Sequence, residues 1–139
     1  MVDGTSAPPP AVADAFARFP EAARARLLAA RGQVFAAAAD DPRVGELTET
    51  LKWGEPAYLT GTTRSGSTVR LGLAGKPAEA ALLLNCRTGL VEEIRARYGD
   101  LFQYAGTRGV LLSDATPPEA VRHCAALALT WHARRRERP

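Results

Sequence analysis

The sequence predicts an α+β fold: a two-layer arrangement in which an antiparallel five-stranded sheet is packed by helices, in the order α-β(3)-α-β(2)-α. Three observations point there. Residues 21–39 form an Ala-, Leu- and Arg-rich run of helical composition. Residues 67–74 alternate, with Val69, Leu71 and Leu73 facing one way and Thr68, Arg70 and Gly72 the other, the pattern of a half-buried antiparallel strand. The connections between consecutive strand-like segments are too short for parallel crossovers, so an antiparallel sheet covered on one side by helices is the simplest solution.

Residues 1–10, with Gly, Thr, Ser and three consecutive prolines, read as a disordered lead-in. A short helix over about 11–19 stops at Pro20, which stands at or near the start of a longer helix over 21–39. At about 100° per residue, Leu27, Leu28, Val34, Phe35 and Ala38 share one apolar stripe of that helix, and Arg31 falls inside it. An Arg so placed either extends its head to water or meets a carboxylate. Residues 49–60 read as a strand kinked at Gly54 and Pro56, followed by the turn-rich segment 61–66.

The apolar run over 79–86 reads as a central strand. Thr88 is placed to cap a helix over about 89–98 that ends at Gly99. Two short strands, 102–105 and 110–113, flank the turn 106–109. Thr116-Pro117-Pro118-Glu119 combines an N-cap threonine, a proline at the first helical position and a glutamate three residues after the cap, opening a final helix to about Arg135. The domain organisation is then a lead-in over 1–10, one domain over 11–133 and a basic tail over 134–139.

The chain has 139 residues, 46% hydrophobic and 24% charged, which places it with ordinary globular proteins rather than disordered ones. The net charge of +3 invites a nucleic-acid reading, yet removing the tail leaves 14 basic and 14 acidic residues. The body carries no global basic field, so no specific nucleic acid is expected. No apolar run approaches the roughly 20 residues of a membrane helix, and no secretory leader is evident, so a cytoplasmic protein without membrane partners is expected. Two cysteines are too few for a disulfide framework, and both are expected reduced.

The run Glu49-Thr-Leu-Lys-Trp53-Gly54-Glu-Pro56-Ala-Tyr58 resembles the most recognisable segment of the YdhG-like family, domain of unknown function 1801. Phe19-Pro20 with the following Arg-rich helix, the hairpin from Leu101 to Leu112, and the closing Ala-Leu-Ala-Leu-Thr-Trp-His132 are also similar, so the resemblance spans roughly residues 16–132. It implies a two-layer α/β fold and no established activity. Some relatives are labelled frataxin-like iron chaperones. Iron on such a surface needs a ridge of carboxylates, and here the first long helix is dominated by Arg18, Arg24, Arg26 and Arg31, so that activity is disfavoured.

The remaining chemistry is sparse. His123 and His132 are nine residues apart on the last helix, hence on opposite faces; His132 falls within the apolar stripe, as a half-buried hydrogen-bonded side chain, and His123 on the outer face. No metal site and no cofactor are expected. Cys86 ends a strand before a helix start and beside Arg87, a setting that lowers a thiol pKa, although a small apolar residue closing a strand is the plainer reading. No nucleophile elbow or phosphate loop is present.

The candidate site residues are therefore Arg31, Glu49, Trp53, Tyr58 and His132, with Cys86 as a weak redox candidate. Arg31 and Glu49 are expected to form an ion pair beneath Trp53. The function expected is a binding or protein-interaction module using the segment Glu49 to Tyr58, with an unknown protein or small ligand as partner and a homodimer left open. The alternatives are a small-molecule enzyme with Glu49 or Tyr58 as acid or base, and a purely structural motif.

Overall fold

The computed structural model describes residues 6–138, so the lead-in expectation for residues 1–5 lies outside the described residues. Helix α1 (Pro10–Ala17) starts inside the expected lead-in, with proline at its first position. Helix α2 (Glu21–Asp40) follows with Pro20 at its N-cap. The strands are β1 (Thr48–Lys52), β2 (Glu55–Leu59), β3 (Val69–Ala74), β4 (Glu79–Leu83), β5 (Gln103–Ala105) and β6 (Gly109–Leu111). Helix α3 (Leu90–Tyr98) lies between β4 and β5, and α4 (Pro118–Leu129) and α5 (Trp131–Glu137) close the chain. The sheet order is β1-β2-β3-β4-β6-β5, and every pairing is antiparallel.

The fold is α+β as expected, with six strands in place of five. The difference lies at Gly54. What reads as one kinked strand is a hairpin, with Lys52 opposite Glu55 and a two-residue turn at Trp53-Gly54. Both turn residues have positive φ, 55° and 75°, the signature of a type I′ turn whose twist matches that of the strands it joins. Asn-Gly is the usual sequence there; Trp-Gly disguised the turn.

The strand pleat sorts the sheet into two faces. Tyr58, Val69, Leu71, Ala80, Leu82 and Val110 point to the helices and are fully buried in one core with Leu27, Val34, Ile94, Cys124 and Leu129. Helix α2 packs mainly on α4, β4 and β3, and α1 lies over β1 and β2. The opposite face carries Glu55, Arg70, Gly72, Ala81 and Leu83. On α2 the buried stripe is shifted from the one expected, because Ala23, Ala30 and Ala37 join it while Leu28 turns outward at 41% exposure.

The final helix also departs from expectation. Its N-cap is Pro117, and the Thr116 hydroxyl instead accepts a hydrogen bond from the Ser113 amide. The helix breaks at Thr130, because the loop between β2 and β3 inserts there. The Ala133 amide, which would complete the helix on Leu129, donates to the Ser65 carbonyl at 2.8 Å, while the Ser65 hydroxyl takes the Leu129 carbonyl at 2.8 Å. The Ser67 amide bonds the Ala128 carbonyl. Gly66 permits this approach, since a Cβ there would stand 2.2 Å from the Leu129 carbonyl oxygen.

Past the break the chain resumes as α5, so residues 134–137 are helical where a basic tail was expected. Arg134 reaches both carboxylate oxygens of Glu93, at 3.1 and 3.3 Å, and the Leu127 carbonyl at 2.8 Å. It ties α5 to α3 and satisfies one of the carbonyls left open at the end of α4.

Candidate functional site

Glu49 and Tyr58 are directly opposite each other in the β1–β2 register, on the helix-facing side. Arg31 rises to meet them from the buried stripe of α2. Its Nε donates to Glu49 Oε2 at 2.6 Å and its Nη2 to Oε1 at 2.9 Å, the bidentate fork that suits a carboxylate. The Tyr58 hydroxyl donates to Oε2 at 2.8 Å. Arg31 Nη1 donates to the Ser6 carbonyl at 2.8 Å, so the start of the described chain is also held on this cluster.

The Arg31 and Glu49 side chains are 4% and 3% exposed. The Arg31 guanidinium stands 5.0 Å from the centre of the Phe35 ring, which in turn meets the Tyr58 ring edge to face at 5.7 Å. The hydrogen bonds to Glu49 raise the Arg31 pKa further against the opposing effect of burial. Burial, reinforced by the Glu49 charge, pushes the Tyr58 hydroxyl well above its ordinary range, so it stays protonated as a donor. Both Glu49 oxygens are taken and neither faces a cleft.

The expected pair thus forms, but not beneath Trp53. The hairpin carries Trp53 away to its tip, where the side chain is 90% exposed. His132 is also separate: the break at Thr130 rotates it out of the apolar stripe, and it is exposed beside the Trp131 ring. His123 takes the role expected of His132. It is half-buried, with Nδ1 2.5 Å from the Tyr98 hydroxyl, and burial followed by the nearby Arg97 charge lowers its pKa. The break accounts for His132; His123 is half-buried because the outer face of α4 meets Tyr98 of α3.

Cys86 is exposed, on a short 3-10 turn capped by the Asn85 side chain, whose Oδ1 accepts from the Arg87 amide. Helix α3 starts four residues later, so its N-terminus does not address the thiol. Cys124 is fully buried, and that burial pushes its thiol up to about 12.

The surface around Trp53 is where functional side chains do gather. A cleft of about 320 Å³ lies on the face of the sheet away from the helices, lined by Lys52, Trp53, Thr68, Arg70, Asn85 and Arg108 among others, with Cys86 at its edge. A second, of about 220 Å³, shares Arg70 and Arg108 with it and is bordered by Glu55. Arg70 is paired with Glu55. Sequence reasoning passed over Lys52, Arg70 and Arg108, although the alternation of 67–74 already places Arg70 on the outward face. A separate cleft of about 300 Å³ between α2 and α4, lined mostly by apolar groups such as Ala29, Leu112 and Val121, gathers none of the sequence-predicted residues.

Among the described residues, no group of three or more His, Cys, Asp or Glu side chains is placed to hold a metal ion. No described helix is long and apolar enough to cross a membrane. Compared with known proteins, the chain matches no family model, no curated protein and no solved structure.

Proposed function

We propose that this chain is a cytoplasmic, YdhG-like interaction module that presents the tip of the β1–β2 hairpin, within the segment Glu49 to Tyr58, to a partner protein. One observation carries the reading: a tryptophan, 90% exposed, stands at a position where the fold gains nothing from it. Its φ of 55° belongs to the left-handed region, which costs a bulky residue about 1–2 kcal/mol relative to glycine. Strain of this kind concentrates at functional sites. Tryptophan is also the residue most enriched among interface hot spots, where it fills a pocket on the partner.

A protruding ring favours a macromolecular partner, because a small ligand supplies no pocket around it. The buried Arg31–Glu49–Tyr58 cluster supports the reading from beneath. It locks the base of the hairpin to α2, so the tip is held on a rigid stem and binding costs little ordering.

The test is a photo-crosslinking side chain, benzoylphenylalanine, placed at position 53 in the native host. A discrete protein adduct is expected, suppressed by excess purified wild-type protein but not by excess Trp53→Ala protein. Absence of an adduct, or equal suppression by both competitors, would overturn the proposal.

A further inference from the structure

We infer that the face of the sheet away from the helices seats an acidic, extended segment of the partner, with Lys52 and Arg108 receiving its carboxylates. This rests on the reading of Trp53 as the anchor and names the chemistry beside it.

The floor of the site is covered by its own side chains. One cross-strand row runs Ala57, Arg70, Leu83, Gly109, and the next runs Gly72, Ala81, Leu111. Ala57, Ala81 and Leu83 in these rows are buried, so an occupant meets the charged side chains that stand over them. Gly72 is required by its neighbour, because a Cβ there would stand 2.0 Å from Glu55 Oε2. The Glu55 carboxylate therefore lies down on the sheet, against Arg70, and its charge is spent on that pair.

The charge that remains is positive. Lys52 and Arg108 are exposed and, among the described residues, take part in no ion pair. The two clefts share Arg70 and Arg108, and Trp53 lines the larger one with Lys52. A cleft lined by two cations outside any ion pair selects an anionic occupant. Single-stranded nucleic acid is the rival. It needs a series of stacking rings along a continuous cationic track. This cleft offers one ring, Trp53, and two cations outside any ion pair, short of such a track.

The experiment is fluorescence anisotropy of a labelled short peptide of alternating Glu and Leu, titrated with wild-type protein, Trp53→Ala, and the double variant Lys52→Glu/Arg108→Glu. The control is Arg18→Glu/Arg97→Glu, which makes the same charge change on α1 and α3, and circular dichroism verifies folding of each. Charge reversal in the groove is expected to weaken binding at least about 10-fold, with little effect from the control, and added salt should weaken wild-type binding.

Loss of binding on Trp53→Ala with none on charge reversal would overturn the acidic assignment and leave the anchor reading standing. Loss on charge reversal with none on Trp53→Ala would keep the groove and remove the anchor. No binding to wild type, or tighter binding of oligothymidylate of equal charge, would overturn the inference.

Discussion

Glu49→Ala is the most informative single substitution. It removes the carboxylate that Arg31 grips with its bidentate fork and leaves a guanidinium 4% exposed beside the Phe35 ring. It also strips the Tyr58 hydroxyl of its acceptor. Breaking a buried pair by removing one partner costs about 3–5 kcal/mol, a large share of the roughly 5–15 kcal/mol that a domain of this kind has in total. Replacing Arg31 with Leu in the same chain takes the stranded charge away and returns apolar contact to Phe35.

The double variant should therefore be more stable than Glu49→Ala alone, by about 2 kcal/mol. The assay is urea unfolding of wild type, both single variants and the double, followed by far-ultraviolet circular dichroism. A coupling energy of at least about 1 kcal/mol is expected. Additivity within about 0.5 kcal/mol would refute the reasoning, because it would mean that the two side chains titrate the fold independently.

Trp53→Asn, which supplies the preferred Asn-Gly turn, should raise stability by about 1 kcal/mol in the same assay while failing to compete against the crosslink described above; a loss of stability would mean that Trp53 serves the fold. His123 has a lowered pKa in the folded state, from burial first and Arg97 second, with Glu93 opposing and Arg134 assisting. The unfolded chain thus takes up the proton first as pH falls below about 6.5, so this contribution is complete above that pH and lost through the folded pKa. His123→Gln should flatten the difference in melting temperature between pH 7.5 and 5, and an unchanged difference would exclude the mechanism. In native protein, one thiol, Cys86, should react rapidly with a disulfide reagent and the second only on unfolding, since Cys124 is buried and its thiol is pushed up to about 12. Gly66→Ala should destabilise by more than about 2 kcal/mol, read by urea unfolding, because the added methyl meets backbone at Leu129 rather than a movable side chain.

Much of this architecture was legible from periodicity. Alternation along 67–74 identified β3 and its buried face, and the apolar position of Arg31 implied a carboxylate partner, which Glu49 supplies. The misreadings share a cause: each turns on a backbone conformation imposed against local preference. Trp53 does not announce a left-handed turn, so one hairpin read as one strand. Nothing between Pro118 and Arg135 announces a helix break, because the break is made by Ser65 and Gly66, more than sixty residues earlier. The groove was missed because Lys52, Arg70 and Arg108 come from three separate segments that only the sheet assembles.

The splice of Ser65 into the last helix has a consequence for how the molecule opens and closes. The stretch from Pro118 to Glu137 holds no glycine and no proline after its first residue, so on its own it has every reason to be one straight rod. Its bend is held by the 60–67 loop, which joins β2 to β3. The Ala133 amide is consequently a sentinel: its exchange with solvent deuterium reports the docking of two distant segments rather than the fraying of a helix end. The terminal helix, which looks from the sequence like a self-sufficient rod, owes its native shape to a loop of the sheet.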